Sequence, residues 1–313
     1  MLRIDIAGEH LRRKGKENKV VLLFHGLESD SRAGFSRSIV GGLVESGYTV
    51  GVLNNRGCGE GAKIALKSYH AGFIEDVRSV VRWAHDYFGG EAGKCRLYLA
   101  GFSLGANMLL NFLGKESGNV LKWSVKGAVC LSVPWDPTAC QQKLDSSISR
   151  VLYSMRFVKS IQEKVKTIVD QGVEVNFDVD KVMSAKSIGE IDDEFVAKVF
   201  GFDGKLDYYN KTDARKMLKS IQVPTICYNA RDDPFFAHQD LKHLPTSEMI
   251  DGAPVRVIVH NTGGHCGWFS FSDLSTNSFP YLTQEIVKFF DYLEAHQSRF
   301  EENGHVIDDI SER

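Results

Sequence analysis

The sequence predicts an α/β protein: a mostly parallel central sheet flanked by helices, with a helical lid inserted before the last strands. Three observations lead there. The run Val20-Val21-Leu22-Leu23-Phe24 is uninterruptedly apolar, as strands buried on both faces of a parallel sheet are. Strand-like and helix-like segments then alternate along the chain, the pattern of helices covering a parallel sheet. Between about residues 136 and 222 the alternation stops, and helical periodicity runs on without a core strand.

In chain order, residues 2–7 alternate well enough for an edge strand, and residues 10–19 form a charged turn. The strand Val20–Phe24 ends at His25-Gly26. Residues 35–46 read as a helix stopped by Gly47, a natural C-cap, and Tyr48 to Leu53 as a strand. Phe73, Val77, Val80, Val81, Ala84 and Phe88 share one helical face. Arg96 to Ala100 is the next strand, 104–113 a helix and Val125 to Val133 a strand. After the break come strands at Pro224 to Tyr228 and Val255 to Val259, and a helix near 279–295. Within the break, Ile148, Val151, Leu152, Met155, Val158, Ile161, Val165, Ile168 and Val169 form a long apolar stripe, with Arg150, Arg156, Lys159 and Lys164 among them. The expected organisation is therefore a core of residues 1–135 and 223–300, a lid of 136–222 and a polar tail of 301–313.

Composition narrows the function classes. The 313 residues are 43% hydrophobic and 25% charged, ordinary for a globular protein with a substantial core. Lys plus Arg number 38 against 40 Asp plus Glu, a net charge of -2, so a nucleic-acid partner is not expected. Cys58, Cys95, Cys130, Cys140, Cys227 and Cys266 are far apart with no CxxC pair, which argues against a disulfide framework or a zinc site. No apolar run is long enough for a membrane span, and the N-terminus lacks the apolar segment of a signal peptide, so a cytoplasmic location is expected.

The chemistry-bearing motif is Gly101-Phe102-Ser103-Leu104-Gly105. It follows a strand and opens a helix, the setting in which G-x-S-x-G lifts a serine hydroxyl onto a sharp turn, with Gly101 and Gly105 leaving room for backbone and substrate. Serine needs a base to take its proton. His265, in Gly263-Gly264-His265-Cys266-Gly267 after the last strand, is placed for it; His25, His70, His85 and His238 are better read as packing or surface residues. The imidazole in turn needs an acid. Ala230-Arg231-Asp232-Asp233-Pro234 offers two, of which Asp233, directly before proline, is favoured over Asp232. The order Ser, Asp, His matches one of the known triad orders. Oxyanion donors would be the amides of Leu104, next to the nucleophile, and Leu27, in the loop after the first buried strand.

With these segments in place, the sequence resembles the YheT-like branch of the α/β-hydrolase superfamily. The resemblance rests on Phe24-His25-Gly26-Leu27-Glu28, Asn55-Arg56-Gly57-Cys58, Tyr69-His70-Ala71-Gly72, the Ser103 motif through Met108, Asp207-Tyr208-Tyr209, Ala230 to Phe235 and Gly263 to Gly267, in order along nearly the whole chain. It implies the α/β-hydrolase fold, a catalytic Ser103, Asp233 and His265, and carboxylesterase, lipase or phospholipase activity, with acyl transfer to alcohols in the yeast members. The N-terminal anchor of animal members has no counterpart here, so membrane anchoring is not carried over. Arg56, Tyr69 and His70 match family positions without a derivable role; Arg56 could pair with Glu60 or Asp76, or line the site. The expected function is a serine carboxylic-ester hydrolase acting on a short- to medium-chain or lipid acyl ester, without metal or cofactor, the basic apolar stripe leaving room for peripheral membrane contact. The alternatives are acyl-CoA:alcohol acyl transfer by the same triad and a non-catalytic binding protein on the same fold.

Overall fold

The structure is a computed structural model that describes residues 2–11, 18–60, 67–89, 95–146, 150–235, 241–268 and 280–296. The expected polar tail, His238 and most of the charged turn lie outside the described residues.

Among the described residues seven strands form one sheet in the order β1-β3-β2-β4-β5-β6-β7: β1 (Arg3–Ala7), β2 (Asn18–Phe24), β3 (Thr49–Asn54), β4 (Cys95–Phe102), β5 (Val125–Leu131), β6 (Thr225–Ala230) and β7 (Val255–His260). Of these strands only β1 is antiparallel, paired along β3 at the edge. The expected strand to Val133 stops at Leu131 because Ser132 turns to φ +49.

Alternation along β2 divides the core in two. Val20, Leu22 and Phe24 face one layer, formed by α2 (Glu75–Gly89) and α3 (Leu104–Lys115). Val21 and Leu23 face the other, formed by α1 (Gly34–Glu45) and the last described helix, Pro280–Ala295. All five side chains are at most 2% exposed, which is why the strand needs no polar face.

Among the described residues the segment between β5 and β6 adds no strand. It contains α4 (Pro137–Leu144), α5 (Met155–Asp170) and α6 (Lys205–Thr212), and has a third apolar cluster of its own, including Val158, Val165, Ile191, Phe195 and Tyr208. The predicted stripe splits here. A π-helical turn, Arg150–Ser154, precedes α5; Val151, Leu152 and Met155 are exposed, whereas Val158, Val165 and Ile168 are buried. A π turn holds more residues per turn than an α-helix, so a 3.6-residue periodicity cannot be carried through it unchanged.

Candidate active site

Parallel strands bring their carboxyl ends to one edge of the sheet, and register aligns them: Phe24 of β2 pairs with Gly101 of β4. Loops leaving β2, β4, β6 and β7 there carry His25-Gly26-Leu27, Ser103, Asp233 and His265.

Ser103 has φ 56 and ψ -126, a conformation that non-glycine residues avoid and that persists only where surroundings impose it. Its N–H donates to the Leu131 carbonyl at 2.9 Å, and its own carbonyl accepts from the amides of Ala106 (3.0 Å) and Asn107 (3.2 Å). Gly105 lets α3 close on the end of β2: a Cβ there would collide with the carbonyls of Phe24 and His25. Leu104 is the first residue of α3, so its N–H has no acceptor within the helix and stands at the positive end of the helix dipole.

On the β2 side, His25 is fully buried. Asn55 donates its backbone N–H to His25 Nε2 at 3.1 Å, which makes Nε2 the acceptor and puts the ring proton on Nδ1. Nδ1–H then donates to the Gly26 carbonyl at 2.8 Å. Burial pushes the His25 pKa down to about 4, so the ring is neutral. The Gly26 carbonyl also accepts from the Ser29 amide at 3.3 Å. In a planar trans peptide the C=O and the following N–H point in opposite directions. Two donors that hold the Gly26 carbonyl on one side therefore turn the Leu27 N–H to the other.

His265 and Asp233 are brought together. His265 Nδ1 donates to Asp233 Oδ2 at 2.8 Å, the Asp233 side chain being fully buried and that of His265 16% exposed. Asp233 Oδ1 accepts from the Phe235 amide at 2.8 Å, and the Phe235 ring stacks on the imidazole at 4.2 Å. Asp232 turns outward, and its Oδ1 accepts from the Gly264 amide at 2.8 Å, clamping the histidine loop. Ser132, which sequence reasoning missed, holds that loop from below: buried, with φ +49, it accepts the Cys266 N–H on Oγ at 3.0 Å. A positive φ at a lone serine leaves no sequence signal. Arg56 pairs through two 2.7 Å hydrogen bonds with Asp76, an anchor for α2.

Ser103, Leu104 and Leu27 line a cavity of about 150 Å³ whose far wall comes from the β5–β6 segment, through Phe157, Ile161, Ile188 and Phe195. Tyr69 and His70 line it as well. Among the described residues no helix is long and apolar enough to cross a membrane.

Comparison with known proteins agrees with this architecture. Residues 19–271 match the family described as alpha/beta hydrolase fold. The chain is 31% identical over 248 residues to the phospholipase ABHD3 of Mus musculus, covering 79% of this chain and 58% of that protein. It is 29% identical over 267 residues to YheT of Escherichia coli, covering 85% of this chain and 75% of that one. The chain thus spans less than two thirds of the length of the mouse relative. Among solved structures, Est1E of Butyrivibrio proteoclasticus superposes with a TM-score of 0.55 at 14% identity, covering 94% of this chain and 96% of that one, a likeness of fold. By the family match and by the relatives its motifs resemble, this chain belongs to the α/β-hydrolase fold family, in its YheT-like branch.

Proposed function

We propose that the protein is a serine hydrolase of carboxylic esters working through an acyl-enzyme, with Ser103 as nucleophile, His265 as base, Asp233 as its orienting acid and the amides of Leu27 and Leu104 as the oxyanion hole. The observation that carries this reading is the strained Ser103 lining an apolar cavity, at one sheet edge with the His265–Asp233 pair. Ser103 Oγ attacks the ester carbonyl as His265 Nε2 takes its proton. The buried Asp233 carboxylate keeps the other ring proton on Nδ1 and stabilises the imidazolium. The carbonyl oxygen, now negative, meets two amides already oriented before reaction, each worth roughly 3 kcal/mol in the transition state. The imidazolium returns the proton to the leaving alcohol, and water, deprotonated by the same ring, releases the acid.

The phospholipase name of the mouse relative and the apolar walls both support an acyl chain as the bound group. The β5–β6 segment serves as a lid over it. A cavity volume near 150 Å³ resembles cavities that take a six-carbon ring, which favours short to medium chains for the part held inside it. The test is hydrolysis of p-nitrophenyl esters from two to sixteen carbons by wild type and Ser103→Ala. Turnover with a short- to medium-chain optimum, reduced roughly 10³-fold or more by the substitution, is expected. Folded wild type inert on every chain length, and unreactive toward a fluorophosphonate, would overturn the proposal.

A further inference from the structure

Glu28 follows the proposed oxyanion donor Leu27 directly, and its conformation is unusual. It has φ +53, in the left-handed region that a glutamate occupies only at a cost of about 1–2 kcal/mol. The hydrogen bond from the Ser29 amide to the Gly26 carbonyl closes a four-residue turn with Leu27 and Glu28 at its centre. Positive φ at the third position of such a turn is normally supplied by glycine or asparagine. Here it is supplied by side-chain ties. Glu28 Oε1 accepts from Lys164 Nζ at 2.7 Å and from the Tyr69 hydroxyl at 3.1 Å, and Oε2 accepts from Ser160 Oγ in a short contact. The Glu28 amide donates to the same Tyr69 hydroxyl at 2.9 Å. The ion pair is largely enclosed, with side chains 15% (Lys164) and 9% (Glu28) exposed. Lys164 and Ser160 both belong to α5, the helix that walls the cavity.

These contacts form one chain of constraint. The α5 helix holds the Glu28 carboxylate; the carboxylate holds a left-handed residue; that residue keeps the turn closed; the turn places the Ser29 amide on the Gly26 carbonyl and so aims the Leu27 N–H. We propose that Lys164 and Glu28 are positioning residues, through which seating of the lid helix completes the oxyanion hole. Tyr69, a family position without a role in the sequence reading, is the fixed post of this tie. The inference rests on the esterase reading for its catalytic meaning, although the tie itself does not.

The test separates positioning from packing. Lys164→Met, Lys164→Arg and the exposed control Lys159→Met are compared on p-nitrophenyl acetate, whose acyl group is too small to need the lid wall, and on a long-chain ester. Amide hydrogen exchange is followed over residues 26–29. Lys164→Met is expected to lower kcat on acetate about tenfold or more with KM within about threefold, less than outright loss of an oxyanion donor. Exchange over 26–29 should rise, Lys164→Arg should recover most of the rate, and Lys159→Met should match wild type. A loss confined to KM for the long ester, or unchanged kcat and exchange, would overturn the proposal. If the lone Glu28 charge prevents Lys164→Met from folding, Glu28→Gln/Lys164→Met removes both charges and is expected to show the same kcat loss; wild-type kcat in it would be equally fatal. Were wild type inert toward ester and fluorophosphonate alike, the esterase reading would fall, while the exchange data would still decide whether α5 holds the turn.

Discussion

His25 can be assigned a task because its hydrogen bonds fix its tautomer. A buried imidazole that accepts from Asn55 and donates to Gly26 has no proton to spare, and burial keeps it neutral down to about pH 4. In the proposed mechanism its effect on chemistry runs through the Gly26–Leu27 peptide plane. Replacing it with a leucine of similar bulk leaves the Gly26 carbonyl held only by Ser29 and strands the Asn55 amide without a partner. His25→Leu is therefore expected to lower kcat on a short ester about tenfold, and to cost about 1–3 kcal/mol of stability for the buried donor left unpaired. Steady-state kinetics with urea unfolding of the same preparation separates the two. Lost stability with unchanged kcat would confine His25 to packing. The sequence identifies the residue, since His25-Gly26 ends the apolar strand, but not the role: the partner Asn55 is thirty positions away and contributes its backbone, which carries no residue-specific sign.

At the scale of elements, the joint between β2 and α3 decides how close Ser103, the proposed nucleophile, comes to the Gly26–Leu27 loop. Gly105→Ala would drive a Cβ into the Phe24 and His25 carbonyls, backbone atoms that cannot step aside as a side chain could. The helix must then withdraw, taking Ser103 and the Leu104 amide with it. The expected cost is about 1–3 kcal/mol from overpacking, with kcat falling by more than the unfolded fraction explains. Gly118→Ala, where a Cβ meets open space in a short helix, is the control and should leave kcat unchanged, with stability equal or higher by up to about 1 kcal/mol from helix propensity. Urea midpoints and kcat for the pair provide the check. Features local in sequence were legible at this scale: the apolar run of β2, the Ser103 turn between strand and helix, and the aspartates after β6. What was not legible depends on distant partners. Asp232 and Asp233 are adjacent and chemically identical, and only the path of the β6 loop turns one to His265 and the other to Gly264. Lys164 looked like one more charge on an amphipathic stripe, because Glu28 lies 136 residues away. The stripe is continuous in sequence because a π turn carries no compositional mark.

At the scale of the whole molecule, buried titratable groups sit both where the β5–β6 segment meets the rest of the chain and inside the segment itself, so folding is coupled to protons. His70, before α2, sits among Phe200, Phe202 and Tyr208 of that segment, and burial lowers its pKa to about 3. Asp192, bonded to the Tyr209 hydroxyl at 2.7 Å, is pushed by burial up to about 7. The two act with opposite sign. His70 and His25 stay neutral in the folded protein while the unfolded chain protonates them near their ordinary value of 6.5, so folding stability falls as pH drops below that value. Asp192 keeps its proton up to about 7 in the folded state, whereas the unfolded carboxyl releases it near 3.8, so its contribution is lost as pH rises through that window. Between those limits the carboxyl binds about one more proton folded than unfolded, and offsets one of the two histidines. Asp192→Asn removes the offset. Its stability should rise with pH more steeply than that of wild type, by about 1.4 kcal/mol per pH unit between roughly pH 4.5 and 6, with the difference levelling off above about 7. Urea unfolding of both proteins at three pH values across the window measures this directly. Parallel slopes would mean that the carboxyl is already ionised in the folded protein, and that the interior of the β5–β6 segment tolerates the charge.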